Sequence, residues 1–214
     1  MNAESPLDLI LLVPGTDERE VFEGLISTRQ RSLGIRSIRY EILVNFHRDP
    51  GCFKEAPEVL RFYFKKAKRA LVVFDAKGCG QETSGVQEIE ANLKARLANN
   101  GWDERAEVLV INPELEVWVW SDSSEVDAVL GWKGRTPTLR NWLQHQELWK
   151  GSDRKPQEPR RALETALKQV SIPRSSSLYR QLAERVSLDR CQDESFVRLR
   201  TLLQTWFPFN SKNL

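Results

Sequence analysis

The sequence predicts an α/β fold: a parallel sheet of about four strands with flanking helices, followed by an all-helical C-terminal part. Three observations point to it. Two continuous apolar runs, Leu7 to Val13 and Ala70 to Phe74, end near glycine-containing turns, as strands covered on both faces do. Stretches with apolar residues at three- and four-residue steps alternate with such runs, which is the order of crossover helices in a right-handed parallel sheet. After Ser121 only helical spacing remains, broken by polar connectors.

The first run, LDLILLV, stops at Pro14-Gly15, a pair that cannot extend a central strand. Thr16 or Asp17 can cap the helix that follows. The helix dipole favours Glu18 and Glu20 in its first turn, and Val21, Phe22, Leu25 and Ile26 form its apolar stripe. Ile38 to Phe46 alternates at first and predicts a strand near the sheet edge. His47 to Lys54 contains Pro50-Gly51 and reads as a turn, made basic by Arg48 and Lys54. Glu55 to Lys68 predicts a helix that buries Val59, Leu60, Phe62 and Tyr63, with Lys65, Lys66, Lys68 and Arg69 complementing the dipole at its end. The central strand then runs into Asp75 and the turn Gly78-Cys79-Gly80. Val86, Ile89, Leu93 and Leu97 mark the next helix, which Asn100-Gly101 terminates. Glu107 to Ile111 is a short strand, and Asn112-Pro113-Glu114 reads as a helix start with Asn as cap and Pro in the first position. Beyond it, Thr136-Pro137 opens a helix, residues 150–157 form a polar connector, and residues 158–170, 175–186 and 193–207 repeat the helical spacing. The expected division is an α/β domain over 1–122 and a helical extension over 123–214.

Composition narrows the function classes. The 32 basic and 30 acidic residues give a net charge of +2, too little for a global pull toward nucleic acid or membrane. No apolar run is long enough to span a bilayer, and the amino terminus shows no basic region or cleavage site, so a soluble cytoplasmic protein is expected. Cys52, Cys79 and Cys191 are odd in number and lack CxxC spacing, which argues for free thiols. His47 and His145 are the only histidines and lie far apart, so carboxylates are the stronger candidates for chemistry. Asp75 stands at a strand end where parallel sheets bind ligands, and Gly78 and Gly80 let the backbone approach a phosphate or a metal closely. A nucleotide site in that turn is one reading, although a lone Gly-x-Gly is weak. Glu116 falls among Leu115, Val117, Trp118, Val119 and Trp120, where an unpaired carboxylate is costly, so it needs a partner or a task. The arginines of the tail, Arg160 to Arg200, are interspersed with acids and read as a solvated mixed-charge surface, with a nucleic-acid track as the alternative.

Three segments carry a resemblance. Val13 to Glu18, VPGTDE, resembles the Val-Glu-Gly-x-Thr-Glu turn of Toprim domains, the metal-dependent fold of topoisomerases, primases and overcoming-lysogenization-defect nucleases. Val72 to Gly80 resembles their Asp-x-Asp strand end, and Asn112 to Trp118, NPELEVW, resembles the Asn-Pro-x-x-Glu-x-Trp segment of small Toprim-like proteins from prokaryotic, methylation-associated anti-phage loci. The helical tail resembles that group as well. The resemblance implies a Mg²⁺ or Mn²⁺ site at Asp75; in an active protein Glu116 would be a second ligand and Glu18 or Glu82 a further ligand or base, with Lys77 steadying a phosphate and Gly78 and Gly80 in the turn. It also implies partners among other proteins of the same defence system, and DNA or RNA as the substrate of an active member. Two positions depart from the pattern: Pro14 stands where the family has its general acid or base Glu, and Lys77 where it has the second Asp. Replacing a carboxylate by an ammonium removes an oxygen ligand and adds repulsion. The expectation is therefore a non-catalytic or sensing subunit, with a divergent metal-dependent nuclease as the alternative.

Overall fold

The computed structural model describes residues 6–209. Four strands, β1 (Leu7–Val13), β2 (Tyr40–Val44), β3 (Ala67–Asp75) and β4 (Ala106–Ile111), form one parallel sheet in the order β2-β1-β3-β4. Leu9 to Val13 and Ala70 to Phe74 are buried, as continuous apolar strands in a sheet covered on both faces must be. β2 lies at the edge beside β1 and is half-buried, in keeping with its mixed pattern. The chain leaves β1 toward β2 on one side and returns to β3 on the other. The carboxyl ends of β1 and β3 therefore flank the point where the strand order reverses, the place where open parallel sheets bind ligands.

The chain divides into two compact units by contact, residues 6–19 with 36–113, and residues 20–35 with 114–209. The α/β domain predicted over 1–122 compares with a division after Pro113, and residues 20–35 group with the later part. In the first unit, α3 and α4 (α1, Thr16–Thr28; α2, Gln30–Leu33; α3, Arg48–Arg61; α4, Val86–Asn99) pack on the strands around Leu12, Cys52, Phe74, Leu93 and Trp102. The second unit contains α5 (Ser124–Val129), α6 (Leu139–His145), α7 (Pro159–Gln169), α8 (Ser176–Arg185) and α9 (Glu194–Trp206). Their starts follow the local rules. Ser123, Thr138 and Asp193 accept from first-turn amides, and Pro159 occupies a first-turn position where no amide donor is needed. Trp118 is wedged edge-on against Phe22 and Phe196, with centroids 6.2 and 5.4 Å away. A side chain at Gly24 would meet Ala183 Cβ and Arg180 O at 3.0 Å, which is how closely α1 and α8 pack. Among the described residues no helix is long and apolar enough to cross a membrane.

Three local expectations are corrected. Pro50-Gly51 does not make a turn, because both residues lie in the first turn of α3, where proline is tolerated. That helix ends at Arg61, so Phe62 is 75% exposed rather than buried, and Lys68 and Arg69 belong to β3 rather than to a helix end. The strand starts early because Ala67 and Arg69 pair with Leu7 and Leu9. Asn112 is not a helix cap either. The Asn112-Pro113 peptide is cis, and a short 3-10 turn, Leu115–Trp118, follows Glu114.

Lys68 has a specific partner at the amino end of the sheet. Asp8, 7% exposed, accepts from Arg36 Nη2 (3.0 Å), Lys68 Nζ (2.9 Å) and the Arg39 amide (3.0 Å). The Arg36 guanidinium, more than any other group, holds the Asp8 carboxyl well below the usual carboxylate range. A depressed folded pKa adds stability above the unfolded value near 3.9 and loses it as pH falls through the folded value. Asp8→Asn is therefore expected to lower stability at pH 7 and to flatten the loss below about pH 4, read from urea midpoints across pH. Parallel pH curves for the two proteins would refute this assignment.

Candidate functional site

The carboxyl edge of the first unit is built by the turns that follow β1, β2 and β3. Pro14 is buried directly after β1, and Glu18, 6% exposed, folds back so that its Oε2 lies 2.8 Å from where a Gly15 Cβ would stand. A Cβ there would push the Glu18 carboxylate aside. β3 delivers Asp75, 2% exposed, and the ladder continues past it as the amides of Ala76 and Lys77 donate to Ile111 O (2.8 Å) and Pro113 O (2.9 Å). The Lys77 side chain is exposed. α3 brings Asp49, whose Oδ1 accepts from the Asp75 amide at 2.9 Å.

The turn after β2 is tied down as tightly. Asn45 Oδ1 accepts from the His47 amide (2.8 Å), its Nδ2 donates to Glu55 Oε2 (3.2 Å), and Glu55 Oε1 lies 2.8 Å from His47 Nδ1. Buried Cys52 sits within the field of these acids. Burial first, then Asp49, Glu18 and Glu55, push its thiol up, so the thiolate needed for reactivity is suppressed.

The glycine turn after Asp75 is occupied by its own chain. Gly78 and Gly80 adopt φ of 93° and 80°, which aims both amides at Glu82 Oε1 at 2.9 and 3.1 Å. The amide of Glu82 itself, and then those of Gly80 and Gly78, hold this carboxylate below its ordinary range. The donors that could cradle a phosphate thus hold an internal carboxylate. Cys79 between the glycines is buried and its thiol is pushed up by that burial, against the reading of a reactive cysteine.

Glu116 belongs to the second unit and is 0% exposed. One of its oxygens, Oε1, accepts from Tyr179 OH (2.6 Å), Arg160 Nε (3.0 Å) and Arg174 Nη2 (3.3 Å). Beside it Glu114, 1% exposed, accepts from the Arg160 amide at 3.0 Å. Burial and then the Glu116 charge push the Tyr179 phenol up, which keeps it a neutral donor. The partner this glutamate needed is therefore a pair of tail arginines. Arg180, Arg185 and Arg200 likewise meet Glu184, Glu125 and Asp189, which favours the mixed-charge surface over a nucleic-acid track.

No family model matches the chain, and searches of curated proteins and of solved structures also find no match. Geometry is what remains to weigh. The structure groups Gly78 and Gly80 with Glu82 and places Asp75 and Lys77 at one strand end, whereas Glu116 is bound up with arginines. Among the described residues no group of three or more His, Cys, Asp or Glu side chains could hold a metal ion. Sequence reasoning missed Asp49, because its segment read as a turn on this edge whose character came from the basic residues Arg48 and Lys54.

Proposed function

We propose that this chain is a binding or sensing module, a non-catalytic Toprim-like member of a prokaryotic anti-phage defence system that works with the other proteins of that system. The observation that carries this reading is Glu116, one of the candidate metal ligands, committed instead to Arg160, Arg174 and Tyr179. Glu82, on the Gly78 and Gly80 amides, supports it. Mg²⁺ and Mn²⁺ prefer several oxygen ligands, and two of the four candidate carboxylates already serve the chain's own donors.

A second reading, a divergent Mg²⁺- or Mn²⁺-dependent nuclease, draws support from the buried acids Glu18 and Asp75, with Asp49 beside Asp75, on the carboxyl edge of the first unit. Calorimetric titration with Mn²⁺ and Mg²⁺, wild type beside Asp75→Ala, separates the two. The expected result is no micromolar binding and no cleavage of DNA or RNA. Micromolar Mn²⁺ binding that Asp75→Ala abolishes, together with cleavage, would establish the nuclease instead.

A further inference from the structure

The second unit contains two adjoining cavities of about 400 and 410 Å³ that share Trp120, Ser121, Asp122, Arg140, Arg154 and Arg190 in their walls. Each is large enough for a small ligand. Their arginines differ from those of the tail helices. Among the described residues, the side chains of Arg140, Arg154 and Arg190 hydrogen-bond only to neutral oxygens. Arg140 Nη2 donates to Asp153 O (2.9 Å), Arg154 Nη1 to Gln192 Oε1 (3.1 Å) and Arg190 Nη1 to Asp122 O (3.2 Å). None of the three is ion-paired among the described residues, and each guanidinium has further N–H donors to offer.

The surroundings add shape and selectivity. Arg140 lies over the Trp149 ring, 5.0 Å from its centroid, which steadies the guanidinium. Trp120 and Trp149 meet edge to face at 5.5 Å, giving the cleft an indole wall. Ser121 Oγ is buried in that wall and has no hydrogen-bond partner among the described residues. Asp122 and Asp127 line the first cavity, and Asp122, Asp153 and Asp189 line the second together with Lys155, so a simple anion would meet repulsion as well as attraction. A ligand that fits must present an anion to the arginines, hydrogen-bond donors to the carboxylates, and a flat apolar face.

We infer that this cleft binds a nucleoside phosphate, with the phosphate against Arg140, Arg154 and Arg190 and the base or ribose donors toward Asp122, Asp127 and Ser121. The inference goes beyond the sensing reading and does not depend on the metal question, since every residue it uses belongs to the second unit.

The test is calorimetric titration with AMP, GMP, a short single-stranded oligonucleotide and inorganic phosphate, on wild type, Arg154→Glu and Arg190→Glu. Both arginines are exposed, so the variants should keep the wild-type melting temperature. The expected result is mononucleotide binding that each charge reversal weakens about tenfold or more, the scale of a charge-assisted hydrogen bond. Binding of the oligonucleotide alone, lost in the same variants, would identify the ligand as a nucleotide within a strand and would also support the site. Binding of inorganic phosphate as tight as that of AMP or GMP would overturn the inference. So would no binding of either nucleotide form, or binding that both variants leave unchanged.

Discussion

Removing both arginines from the Glu116 cluster, Arg160→Ala with Arg174→Ala, is expected to cost about 3–5 kcal/mol of stability, the scale of breaking a buried ion pair from one side. Glu116 is 0% exposed and would keep Tyr179 as its only remaining partner of the three. The reverse change should be milder. In Glu116→Gln the arginine side chains, 40% and 36% exposed, can turn to water, so a loss of about 1–2 kcal/mol is expected. Urea unfolding of the three proteins measures this asymmetry directly. A larger loss for Glu116→Gln than for the arginine pair would mean that the cluster holds the arginines in place rather than the carboxylate.

Gly51→Ala is expected to destabilise the protein by about 3 kcal/mol, although alanine in a helix is ordinarily favoured over glycine by about 1 kcal/mol. The added Cβ would fall on Asn45 Oδ1 and 2.8 Å from His47 Cβ. Asn45 is buried, and its amide joins the turn after β2 to Glu55 in the middle of α3. Pushing it aside combines an overpacking cost of about 1–3 kcal/mol with buried polar groups left unsatisfied, at about 1–3 kcal/mol. The shift should also disturb Asp49, two residues before Gly51, and therefore the protection of the Asp75 amide that Asp49 accepts from. Denaturant unfolding gives the first quantity and amide hydrogen exchange the second. Unchanged or increased stability would show that the turn yields without cost.

Much of the fold was legible because burial writes itself into composition. β1, β3 and β4 each contain a continuous apolar run, and α4, α7, α8 and α9 carry their stripes at regular steps with caps or breakers near their ends. What misled was punctuation. Pro50-Gly51 has the form of a turn yet sits in the first turn of α3, and the basic residues 65–69 look like a helix end until Lys68 is seen to answer Asp8 from β3. Both outcomes are set by contacts distant in sequence. The candidate site follows the same division. Asp75 was placed at its strand end by local pattern, and Glu116 was marked by its apolar neighbours, but its partners Arg160 and Arg174 lie 44 and 58 positions away. Nor could local pattern have gathered Arg140, Arg154 and Arg190, which lie far apart in sequence, into the walls of the same cavities.

The contact between Glu82 and the Gly78 and Gly80 amides bears on how this loop meets the cell's anions. A carboxylate tethered within a few residues of its donors acts as a ligand at high effective concentration, about millimolar or above for short connections. Free phosphate has to displace it before either amide can be reached. The loop is in that sense insulated, and it carries its own inhibitor in the sequence.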